Sequence, residues 1–184
     1  MYVILIILAI IVLIAIYGVS IYNGLVALKN QVQEAFSTMD VYLQKRYDLI
    51  PNLVETVKGY AKHENQTFEN VIKARNSAVN ATTIESKVEA QGEIQNALGR
   101  LFALAENYPE LKANTNFLDL QNQLNNVETD IANARSYYNG VVRTYNTKIE
   151  SFPSNVVAGM FKFTQEPMYE VQSEEARQNV KVEF

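Results

Sequence analysis

NFLDLQNQLNNVETDIANARSYYNGVVRTYNTKIE, residues 116–150, decides the fold. Phe117, Leu120, Leu124, Val127, Ile131, Ala134, Tyr138, Val141 and Tyr145 follow one another in alternating steps of three and four. That spacing is an a/d seam of coiled-coil type. At about 1.5 Å per residue such a helix is roughly 50 Å long. A seam of this length must be covered by other helices, so the sequence predicts long antiparallel helices crossing at about 20°.

Working back from the seam, Ile84, Val88, Ile94, Leu98, Leu101, Phe102 and Ala105 form one face of a helix that Thr83 caps. It stops before Pro109, because the residue preceding a proline avoids helical geometry. Phe68, Val71, Ile72, Arg75 and Val79 mark a further helical stretch. Leu25, Leu28, Val32, Ala35, Phe36, Met39, Leu43, Ile50, Val54 and Val57 belong to a stalk helix. Pro51 lacks an N–H and crowds the preceding turn, which predicts a kink or a restart there with Asp48 as cap.

The stalk continues an apolar N-terminal run. Residues 2–21 read YVILIILAIIVLIAIYGVSI, and the first charge is Lys29. About 20 apolar residues match the hydrocarbon thickness of a bilayer. A cleaved signal peptide fits poorly, since no basic stretch precedes the run and it exceeds the usual apolar core. Tyr17 and Tyr22 stand where amphipathic rings favour the headgroup layer. Lys29, Lys45 and Arg46 follow the run, so the positive-inside rule predicts an outer N-terminus and a cytoplasmic C-terminal domain.

The expected class is therefore all-α: a single transmembrane helix (1–22), an elongated antiparallel bundle (23–153), and a partly extended tail (154–184). After the anchor, roughly 160 residues suffice for one domain. They carry the whole formal charge of −4, from 16 Lys and Arg against 20 Asp and Glu. That sign argues against nucleic acid, even where Arg135, Tyr137, Tyr138, Arg143 and Tyr145 interleave basic and aromatic groups. Arg135 and Arg143 are expected outside, or paired with Glu128 or Glu150. There is no cysteine, which removes disulfides and thiolate chemistry.

Candidate chemistry is thin. His63, the lone histidine, begins His63-Glu64-Asn65-Gln66-Thr67, but Thr67 stands where a zinc-protease helix needs its second histidine. Glu106, Glu110, Glu128 and Asp130 read as solvated carboxylates, without the Glu-x-x-His pairs of di-iron bundles. No catalytic residue, cofactor or metal is assigned. The polar residues beside the apolar stripes are a different matter. Asp48, Asn52, Asn139 and Asn146 could fix helix register. Arg46 and Asp48 are expected to pair with the 135–146 stretch and align the chain at Pro51; the alternative is that these polar residues form exposed faces. The end, Val182-x-Phe184, has the hydrophobic-x-hydrophobic form that adds a strand to a sheet edge, although a frayed end or a strand folded back on the bundle is the more ordinary reading of a terminus.

Asp48-Leu49-Ile50-Pro51-Asn52-Leu53-Val54, Ala74-Arg75, Glu106-Asn107-Tyr108-Pro109-Glu110-Leu111-Lys112-Ala113, Ala134-Arg135, Tyr138-Asn139, Tyr145-Asn146 and Phe152-Pro153 together resemble the bacterial LemA proteins. The likeness extends to Val180-Lys181-Val182-Glu183-Phe184. Gln44 and Tyr47 depart from it, where the family tends to be more basic. The resemblance implies a single-pass anchor in the plasma membrane and a long helical bundle. It carries no catalytic residues, and it hints at membrane metalloproteases as neighbours. The function expected is a non-catalytic scaffold or adaptor that self-associates; the alternative is an accessory subunit of a membrane protease or other membrane enzyme.

Overall fold

The structure is a computed structural model, described here for residues 1–170. Six helices follow in order: α1 (Tyr2–Lys58), α2 (Asn65–Asn80), α3 (Ile84–Ala105), α4 (Pro109–Lys112), α5 (Thr115–Glu150) and α6 (Ser154–Met160). No strand occurs among the described residues. The all-α class read from the periodicity holds. The chain divides into two compact units, residues 1–40 with 133–168, and residues 41–132 with 169–170.

In the first unit, α1 begins as a rod whose apolar side chains face outward on every side. From Tyr2 to Val19 its large hydrophobic residues are exposed. Ile21 is the first buried residue, and Leu25, Val32, Ala35 and Met39 continue a buried stripe. On the α5 side, Ala134, Tyr138, Val142, Tyr145 and Ile149 are buried. The sequence places the seam at Val141, but Val142 is the buried residue and Val141 only half-buried. A straight helix has 3.6 residues per turn, so a strict 3.5 repeat drifts round its surface and the buried position advances by one. The Phe36 and Tyr138 rings meet edge-on, with centroids 5.9 Å apart.

Ser154 closes α5. Its hydroxyl donates to the Lys148 carbonyl at 2.6 Å and the Ser151 carbonyl at 2.9 Å, serving acceptors that a helix end leaves open. α6 ends in a Schellman turn: Phe163 N–H donates to the Ala158 carbonyl (2.9 Å) and Lys162 N–H to the Gly159 carbonyl (3.3 Å). Lys162 takes the left-handed position, with φ 56°.

In the second unit α1 continues without a break past Pro51 to Lys58. The restart expected at Asp48 does not occur, and Asp48 caps nothing; it is exposed and accepts from Gln44 Nε2 at 2.8 Å. The reason lies on α2. Proline at 51 leaves the carbonyl of Tyr47, one turn back, without its helical donor. Arg75 Nε donates to that carbonyl at 2.8 Å. The vacancy that should have broken the helix is filled from a neighbouring element.

Thr83 and Ser86 form the expected cap of α3, reciprocally, each backbone N–H 3.1 Å from the other's hydroxyl. The short α4 has no apolar period to announce it; Pro109 sits at its first turn, where a missing N–H costs nothing. Asn114 starts α5 by accepting from Phe117 N–H at 3.0 Å.

Candidate functional site

Arg46 stands on the buried stripe of α1, three residues after Leu43 and four before Ile50, where an apolar side chain belongs. It is 4 % exposed. A buried guanidinium needs partners. Nη1 donates to Gln91 Oε1 on α3 at 2.6 Å. Nε lies 2.8 Å from Glu128 Oε1 on α5, an ion pair rather than a directed hydrogen bond. The Gln91 amide turns its other end to donate to the Tyr47 hydroxyl. Tyr47 is buried beside Arg46, and its carbonyl is the one that Arg75 serves. Burial pulls the Arg46 guanidinium below its ordinary pKa, while Glu128, Tyr47 and Tyr169 act to raise it. The cluster therefore joins α1, α2, α3 and α5 through groups that bond one another. Surface hollows on α2, around Ile72 and Asn76, and between α2 and α3, around Asn70 and Glu93, include neither Arg46 nor Gln91.

The first unit holds a separate polar arrangement. Its residues 161–168 have neither helix nor strand, and residues 164–167 are fastened along α5 by side chains bonding to backbone. Tyr145 Oη donates to the Thr164 carbonyl at 3.0 Å and Tyr138 Oη to the Pro167 carbonyl at 2.8 Å. Asn146 makes a two-point clamp on Glu166. Its Nδ2 donates to the Glu166 carbonyl and its Oδ1 accepts from the Glu166 N–H, both at 2.9 Å. Its amide thus pairs with the peptide as a neighbouring strand would. Gln165 donates to Glu150, and Lys29 Nζ lies 3.9 Å from Glu166. Burial raises the Tyr145 phenol above its ordinary 10.0, and the Glu166 carboxylate acts the same way.

The expected pairing of Arg46 and Asp48 with the 135–146 stretch is thus corrected. Arg46 goes to Gln91 and Glu128, Asp48 to Gln44, and Asn146 to Glu166. The register role expected of Asp48 and Asn52 lacks its premise, since both are exposed. Pro51, Arg135 and Asn139 are half-buried. Glu128 and Glu150, offered as partners of Arg135 and Arg143, are bonded to Arg46 and Gln165. Val182 and Phe184 lie outside the described residues.

The model of the LemA family matches residues 35–184. The chain belongs to the LemA family. A LemA protein of Metamycoplasma hominis is 28 % identical over 137 residues, covering 74 % of this chain and 63 % of that relative. The magnetosome protein MamQ 2 of Paramagnetospirillum magneticum is 28 % identical over 163 residues, covering 74 % of this chain and 60 % of the relative. MamQ of Magnetospirillum gryphiswaldense is 27 % identical over the same length. The chain thus spans less than two thirds of the curated relatives it matches.

In this LemA-family chain, Gln91, Glu128 and Arg75 are the site residues that sequence reasoning missed. A signal existed for each. An arginine at a seam position demands a carboxylate, and a proline inside a helix demands a donor for the carbonyl one turn back. Neither signal selects a partner among 20 acidic and 16 basic side chains.

Proposed function

We propose that this chain is a membrane-anchored, non-catalytic scaffold that acts through protein contacts and self-associates, with its helical domain on the cytoplasmic face. The observation that carries this reading is α1. For about 18 residues its apolar side chains point outward all round, and the same unbroken helix then turns one stripe into a protein core. A rod with no dry side needs lipid or other helices about it. The polar cluster supports a contact role, because buried Arg46 and Tyr47, half-buried Gln91 and the exposed Glu128 are engaged with one another.

Ala9, Ala15 and Gly18 give the rod small residues for lateral packing. A Cβ added at Gly18 would meet nothing within 4 Å, and the neighbouring large side chains of the rod are exposed. The Gly18→Leu variant therefore keeps the single chain intact. Subunit counting of the full-length protein in lipid vesicles tests the proposal. Complexes of two or more chains, fewer in Gly18→Leu, are expected; one chain per complex at every protein-to-lipid ratio would refute self-association.

A further inference from the structure

Around α6 the first unit carries a second exposed apolar feature. Ser154 and Ala158 turn inward and are buried. Val156 and Met160, one turn apart, face outward at 55 % and 74 % exposure, and Phe152, four residues before Val156, is 83 % exposed. Phe161 completes the patch at 56 %. No charged residue occurs between Glu150 and Lys162. Exposed apolar residues clustered in this way mark a contact surface.

What covers the patch follows from its place beside α1. The Phe161 ring lies 4.6 Å from the Tyr22 ring, and the Phe163 ring 5.8 Å. Tyr22 directly follows Ile21, the first buried residue of α1, so Phe161 sits at the level where the all-round apolar surface ends. Through Phe161 the patch reaches Tyr22, just beyond the outward-facing apolar rod. The Schellman turn holds Lys162, exposed, immediately after Phe161. Aromatic rings with a neighbouring lysine suit the boundary between acyl chains and anionic headgroups.

We propose that α6 with Phe152 and Phe161 is an interfacial lipid-binding element, seated in the headgroup layer of the bilayer that α1 crosses. This rests on the anchoring reading above. It gives the first unit two attachments to one membrane, an inserted helix and a shallow apolar turn.

The absence of cysteine allows clean single labels. Val156→Cys and Met160→Cys would carry a nitroxide, with Asn155→Cys and Thr147→Cys as exposed polar controls and Ile10→Cys inside the anchor. The full-length protein is placed in nanodiscs of phosphatidylcholine and phosphatidylglycerol at one chain per disc. Collision with dissolved oxygen is then compared with collision with a water-soluble nickel chelate. Labels at 156 and 160 are expected to favour oxygen over nickel several-fold relative to 147, with 155 resembling 147. If 156 and 160 meet nickel as freely as 147 while position 10 is shielded, the lipid-binding element is refuted and the anchor stands. If position 10 is also open to nickel, both readings fall. Shielding that requires two chains per disc assigns the patch to a second copy and refutes the element as well.

Discussion

Arg46 puts a full charge on an apolar stripe, and its surroundings set what removing either partner costs. Truncating Glu128 leaves the cation buried without its counter-charge, whereas replacing Arg46 by an apolar side chain removes the problem. Glu128→Ala is expected to cost about 1 to 2 kcal/mol, less than a fully buried pair because the carboxylate is partly in water. Arg46→Met is expected to cost less, or nothing. Denaturant titration of both variants checks the order; a larger loss in Arg46→Met would contradict it. Tyr145 gives a pH prediction. The unfolded chain releases the phenolic proton near 10.0, while the folded chain holds it to higher pH. Its contribution to stability is whole below 10.0 and is lost as pH rises through the folded value. Comparing Tyr145→Phe with the parent at about pH 8 and about pH 11 should show a shallower alkaline decline in the variant. Arg46 was legible in the sequence as a residue that matters. Its partners were not, because pairing depends on which side chains three other helices bring to one place.

At the scale of the element, α1 is the instructive case. Proline at 51 reads as a break, and locally that reading is sound. What overrides it is one tertiary hydrogen bond, from Arg75 to the carbonyl that proline leaves unpaired. Arg75→Ala should cost about 1 to 2 kcal/mol in the parent chain. In a Pro51→Ala background the restored N–H serves the Tyr47 carbonyl itself, so the cost should shrink by about 1 kcal/mol. Equal costs in both backgrounds would show that Arg75 does not act through Tyr47. The 161–168 segment is the complementary case. Its residues carry no strong period, and it is positioned by α5. Asn146→Ala removes both clamp bonds and should cost about 1 to 3 kcal/mol. Amide exchange at Glu166 should quicken with it; unchanged protection would mean that the clamp is not what holds the segment. The helices themselves were legible because apolar spacing is written locally. The one-residue advance from Val141 to Val142 was not, since it accumulates along the helix.

For the molecule as a whole, the proposed division between lipid and water rests on α1, whose first part is apolar on every side. The N-terminal run was the easiest feature to read, because length and apolarity alone define it. The exposed turn at α6 was not legible: Phe152, Val156 and Met160 look like ordinary core residues until the fold turns Ser154 and Ala158 inward in their place. The account's central claim is that α1 holds the chain in a bilayer. Washing membranes that contain the full-length protein with alkaline carbonate, then assaying pellet and supernatant, tests it most directly. The protein is expected to stay with the lipid, and to be released once Ile10→Lys and Ile14→Lys are introduced together. Full recovery of the unaltered chain in the supernatant would contradict the account.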